Sequence, residues 1–249
     1  MFDYFFESSD TIVKGVGFSH FESLHLSWLL FFVAFCGISC YVYKKRSPEK
    51  RKKMRFLFAG ALLLDELVKI VGLSAFGNYD VSYLPLHLCS INIILIAVHV
   101  WKPTKALDNF LYSICIPAAI AALLFPTWTK LPLLNFMHIH SFTVHILLAT
   151  YPIMLTAGGD IRPTAKDLPK SFLLLMGLAL PIYVVNLLCD TNFMFLMYAN
   201  KGNPLYWFEE AWGSHFLGFP VIITGVMLVM YFPHIVRYFK KKKTKRVRV

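Results

Sequence analysis

Apolar stretches of about 20 residues, each long enough to cross roughly 30 Å of hydrocarbon as a helix, recur along the chain with short polar breaks between them. The pattern predicts seven spanning helices, at about 24–43, 56–76, 84–101, 107–125, from 133 onward, 168–189 and 211–232. The expected fold class is all-α, a polytopic membrane bundle of seven transmembrane helices. Residues 1–23 read as an extracytoplasmic or interfacial N-terminal segment, 24–239 as the transmembrane domain and 240–249 as a basic cytoplasmic tail.

One stretch departs from the apolar pattern. Asn135 to Pro152, NFMHIHSFTVHILLATYP, places three histidines inside a segment otherwise fit to cross a bilayer. Ionisable groups at that depth are costly and persist chiefly where they face a bundle interior or a wet cavity. At about 100° per residue, His138, Ser141 and His145 share one helix face, while His140 points roughly the other way. That face is the first candidate wall of a site.

Composition agrees with the pattern. The 249 residues are 57% hydrophobic and 16% aromatic, with a mean hydropathy of +0.58, outside the range of soluble globular domains. A net charge of +11 would suit nucleic acid if it covered a soluble face, but the basic residues cluster beside apolar runs, so no nucleic-acid partner is expected. Alternate connecting segments carry 21 of the 25 Lys and Arg, beginning with KKRSPEKRKKMR after the first helix and ending with the tail KKKKTKRVRV. The opposite side has only Lys14, Lys130 and Lys201, and Lys69 lies inside the second helix. Positive charge is retained on the cytoplasmic side. The expected topology is therefore a multi-pass cell-membrane protein with its N-terminus outside, its C-terminus cytoplasmic, and its basic loop and tail touching anionic inner-leaflet headgroups. The acidic opening MFDYFFESSD lacks the positive region of a cleavable signal. Cys36, Cys40, Cys89, Cys115 and Cys189 lie in or at the ends of apolar segments, and no disulfide framework is expected.

Threaded through this orientation, the intramembrane polar groups collect toward the outer half. Helix 1 contributes His20, Glu22 and His25; helix 2 Asp65, Glu66 and Lys69; helix 3 His87 and Asn92; helix 5 His138 and His145. Helix 6 leaves with Asn186 and Asp190, and helix 7 begins beyond Glu209 and Glu210 with His215. Contributions from six helices to one depth band suggest an outward-opening polar cavity. Packing readings stand beside it. Lys69 can be neutralised by Asp65 or Glu66 along the same helix, and Asn186 with Asp190 can form a polar ladder between helices.

Two chemistries can be weighed from residue type and spacing. Zinc would accept His138, His145 and a carboxylate, but HExxH and CxxC spacings are absent, so neither a metal nor another cofactor is expected. Nucleophilic catalysis would need Cys89 to meet a histidine across helices, with His145 as base. A thiol buried in lipid ordinarily behaves as an inert small hydrophobe.

Two strings add a resemblance: LPLHLC, Leu84 to Cys89, and TNFMFL, Thr191 to Leu196. With the histidine helix and the basic first loop, they resemble the YwaF-like family of bacterial seven-helix membrane proteins. That family is itself similar to animal seven-helix membrane acyltransferases that remodel ether phospholipids and are thought to use a cysteine and a histidine. The resemblance implies a lipid-modifying acyltransferase. His87 by motif and His145 by position would be its acid/base groups, Asn192 would sit at the outer mouth, and Asp65, Glu66, Asn92, His138, Asn186 and Asp190 would position the substrate. Where the animal pattern has cysteine between the Pro and His of the helix 3 motif, this chain has Leu86, so the expected nucleophile is missing. The alternative is a transporter or binding protein that holds a small polar solute or lipid headgroup in the same cavity. A structural role for the polar residues is the third reading.

Overall fold

The computed structural model describes residues 4–9, 11–199, 201 and 203–247, with side chains as far as 234. Among the described residues every regular element is helical. The order is α1 (Ser23–Lys45), α2 (Pro48–Ala75), α3 (Leu88–Trp101), α4 (Lys105–Phe110), α5 (Ile116–Leu124), α6 (Phe136–Gly158), α7 (Leu168–Cys189), α8 (Pro204–Trp212) and α9 (Gly218–Val247). The backbone of α9 continues into the basic tail, whose proposed lipid contacts lie outside the described side chains.

Among the described residues, six helical segments are long and apolar enough to cross a membrane: Ser23–Lys45, Val81–Trp101, Lys105–Leu124, Phe136–Gly158, Ala165–Cys189 and His215–His234. The expected second span, α2, is not among them, because Asp65, Glu66 and Lys69 interrupt its apolar half.

The histidine helix is the centre of the bundle. In α6, 61% of the membrane-length window is buried, against 11% for α1 and for α9. It packs against α1, α2, α3 and α5. Phe142, Ala149, Tyr151, Met154 and Leu155 on α6 are fully enclosed, and the main core adds Leu62 of α2 and Ile93 and Ile96 of α3. Asn135 caps the helix start through its side chain, accepting from the His138 N–H at 3.2 Å, and Gly159 ends it at φ +83. A left-handed residue at that position suits glycine because it has no Cβ to clash.

Four predicted elements have different boundaries. Helix 2 starts at Pro48 rather than Phe56, so most of the basic stretch KKRSPEKRKKMR is helical. Helix 3 starts at Leu88 rather than Leu84, so His87 is its extended N-cap. The fourth span is α4 and α5 joined by a π-helical turn over Leu111–Cys115. Pro117 lacks an N–H and its ring crowds the preceding turn, which accounts for the widened ladder there. The last predicted helix is divided at Gly213, φ +71, into α8 and α9.

Candidate functional site

At the end of the bundle opposite the basic loops, the chain between α7 and α8 folds back over the start of α3. The backbone of this segment is strained: Asp190, Met194 and Phe195 all have positive φ, at 51, 58 and 56°. Such conformations cost about 1–3 kcal/mol each in non-glycine residues and persist where the surroundings over-determine them. The restraint comes from two asparagines. Buried Asn186 accepts from the Phe193 N–H at 2.8 Å and the Thr191 hydroxyl at 2.9 Å, and donates to the Phe193 carbonyl at 3.0 Å. Asn192 accepts from the Met197 N–H at 3.0 Å and donates to the Tyr198 carbonyl at 2.9 Å. Both are tied to their own segment and hold the loop.

Beneath the loop lies a cavity of about 450 Å³, with walls that include Asp80, Ser82, His87, Asp190, Asn192 and Phe193. The Ser82 N–H donates to Asp80 Oδ1 at 2.8 Å and holds that carboxyl below the usual carboxylate range. His87 packs edge-on against Phe193, ring centroids 5.1 Å apart, and its Nδ1 accepts from the Met194 N–H at 3.4 Å. In a neutral ring that contact leaves the proton on Nε2.

Two residues further along, Cys89 meets α6. His145 Nε2 lies 3.1 Å from Cys89 Sγ, and His145 Nδ1 lies 2.6 Å from the Ser141 carbonyl. A carbonyl can only accept, so Nδ1 carries the proton and the Nε2 lone pair faces the thiol. Trp128 lies over the imidazole, centroids 5.3 Å apart and planes 13° from parallel, and His145 is buried. The result is a thiol, a base with its acceptor nitrogen presented, and a third group fixing the tautomer, the geometry of an activated nucleophile.

Asn92, one helical turn along α3 from Cys89, is buried, and its Oδ1 has no hydrogen-bond partner among the described residues. On α2, Lys69 Nζ contacts Glu66 Oε1 at 2.5 Å, so Glu66 is its ion-pair partner. Lys69 also lies within electrostatic reach of His87 and Cys89.

The remaining predicted residues go elsewhere. His138 accepts from the Trp28 indole N–H at 3.0 Å and places Nδ1 3.0 Å from the Leu131 carbonyl, so it ties α6 to α1. It shares a helix face with His145, but the seven residues between them are about 10 Å of helix rise, and the two meet different neighbours. Asp65 Oδ2 lies 2.6 Å from His140 Nδ1, so Asp65 faces α6. Of the residues expected to share one pocket, the structure brings His87, Asp190 and Asn192 to the cavity wall and His145 to Cys89. Asp65 and His138 belong to separate packing contacts. Among the described residues no group of three His, Cys, Asp or Glu side chains converges closely enough to hold a metal ion.

A sequence model described as the TMEM164 family matches residues 16–231. The chain belongs to the TMEM164 family. With its six apolar helices, it is a polytopic membrane protein of that family. The matched range takes in α1 through most of α9, and so contains the cavity, its loop and the Cys89–His145 pair. Comparison with curated proteins and with solved structures gives no match.

Proposed function

We propose that this TMEM164-family protein is a membrane acyltransferase that moves a fatty acyl chain between phospholipids through a thioester on Cys89. The carrying observation is the 3.1 Å approach of the Cys89 thiol to a histidine nitrogen whose tautomer is fixed by the Ser141 carbonyl. The substrate class comes from the animal ether-phospholipid acyltransferases, to which the YwaF-like proteins that LPLHLC and TNFMFL resemble are similar. Leu86 stands where the animal pattern has cysteine, and in this reading Cys89 takes over the nucleophile's role.

In the first half-reaction the Cys89 sulfur attacks the carbonyl carbon of a phospholipid ester and passes its proton to His145 Nε2. The tetrahedral intermediate collapses with cleavage of the C–O bond. The leaving glycerol oxygen takes the proton from His145, and a lysophospholipid departs. In the second, the hydroxyl of another lysophospholipid attacks the thioester, His145 accepts its proton, and the expelled sulfur recovers it. One ester replaces another with no oxidant, reductant or net water. His87, with its proton on Nε2, is a donor for the developing oxyanion. Asn92 offers its free carboxamide oxygen to the acceptor hydroxyl.

The topology that suits this chemistry has α2 as a seventh span, made tolerable by the Glu66–Lys69 pair, and the cavity on the extracytoplasmic side of the cell membrane. The 450 Å³ cavity then receives polar headgroups from the outer leaflet, while the acyl chains stay in lipid. The test is to reconstitute the purified protein with an isotope-labelled phospholipid donor and a lysophospholipid acceptor. Labelled acyl should appear on the acceptor with wild-type protein and be absent with Cys89→Ala. Equal transfer by Cys89→Ala would refute the reading.

A further inference from the structure

A second cavity, of about 280 Å³, opens at the other end of the bundle, beside the start of α2. Its walls include Arg51, Arg55, His99, Asp108 and Asp160. Both carboxylates are already engaged. Asp108 sits 2.8 Å from His99 Nε2, and the other nitrogen of His99 is 2.8 Å from the Tyr151 hydroxyl. Asp160 accepts from the Tyr43 hydroxyl and pairs with Arg51 at 3.3 Å.

Arg51 is committed too. Its Nε donates to the Tyr43 and Arg46 carbonyls, one terminal nitrogen donates to the Gly158 carbonyl and Asp160, and the other to the Lys44 carbonyl. It is a rigid clamp between the ends of α1 and α6. Arg55, one turn further along α2, is different. Its Nε is buried and has no hydrogen-bond partner among the described residues. A guanidinium offers five N–H donors in a planar fork suited to oxyanions, and a buried donor left unpaired is costly. Pro48, the first residue of α2, also lines the cavity and brings the positive end of that helix dipole to its rim. Among the described residues, Arg55 thus brings an unpaired N–H to a cavity wall whose two carboxylates are engaged by other side chains.

We propose that this cavity is an anion site that takes a phosphate group, with Arg55 as its principal ligand. The phosphate is carried either by a phospholipid of the adjoining leaflet or by a soluble phosphate ester. The site is separate from the Cys89 chemistry and does not depend on it.

The experiment measures binding of inorganic phosphate, and separately of dioctanoyl phosphatidic acid, to the full-length protein in detergent by thermal shift and titration calorimetry. Saturable stabilisation of wild type is expected. Affinity should fall at least about tenfold in Arg55→Gln, the scale of one charge-assisted hydrogen bond, and partially in Arg55→Lys, which keeps the charge and loses the fork. Cys89→Ser should bind as wild type does. Equal response to both probes identifies phosphate alone as the recognised group, and response to phosphatidic acid alone identifies a lipid headgroup; either supports the site. Absence of saturable binding by wild type, or undiminished affinity in both Arg55 variants, would overturn it.

Discussion

His145 Nε2 and Cys89 Sγ lie 3.1 Å apart although they belong to different helices and are 56 residues apart in the chain. The bond to the Ser141 carbonyl, one turn back on α6, leaves His145 a single available tautomer, with its lone pair toward sulfur. Replacing His145 by Gln keeps a polar side chain of similar reach and removes the base. Transfer should fall by about 10²–10⁴-fold, the usual range for a general base. Labelled-acyl transfer measures this, with the thermal midpoint as control for folding.

Asn92 separates function from stability. Its Oδ1 is buried without a partner among the described residues, and an unsatisfied acceptor costs about 1–3 kcal/mol. Asn92→Leu, close to isosteric, should leave the thermal midpoint unchanged or raise it. Transfer should fall at least about tenfold, as expected for one lost substrate hydrogen bond, and the effect should appear in the KM for the lysophospholipid acceptor. A variant that loses stability and keeps its KM would place Asn92 in the packing.

The Glu66–Lys69 pair gives a prediction about α2. Both side chains are buried, and removing one partner strands a charge, at a cost of about 3–5 kcal/mol. Lys69→Met alone and Glu66→Leu alone should each strongly lower the thermal midpoint in detergent, while the double variant should recover most of the loss. A double variant as unstable as the singles would give the two residues separate roles.

The loop over the cavity depends on Asn186. Asn186→Ala removes three hydrogen bonds from a segment that holds three residues at positive φ. A loss of about 1–3 kcal/mol is expected, set by the buried groups of Phe193 left unpaired. Limited proteolysis should then cut near Met194 faster in the variant than in wild type.

Much of this architecture could be read in the chain because hydropathy writes helix positions directly. Six predicted spans correspond to apolar helices, and the histidine-bearing segment is the buried centre. α2 reads less clearly, since charges inside a helix declare neither their partner nor their depth; Glu66 takes Lys69 while Asp65 turns to His140. The site was harder to see. Periodicity puts His138 and His145 on one face, but the neighbours of each, Trp28 for one and Cys89 for the other, are fixed by helix packing rather than by spacing. His87 is the extended residue before α3 begins, so helix spacing does not set its direction relative to Cys89. Asn186 and Asn192 looked like ligands, and their hydrogen bonds instead run to the loop between α7 and α8.

A thioester on Cys89 can be trapped as an acyl-enzyme. The protein is incubated with phospholipid donor in the absence of lysophospholipid acceptor, quenched in acid, and measured by intact mass and peptide mapping. The account predicts one added acyl group on the peptide containing Cys89, released by neutral hydroxylamine, discharged by added lysophospholipid and absent from Cys89→Ala. An acyl group on another residue, or transfer that proceeds undiminished in Cys89→Ala, would contradict it.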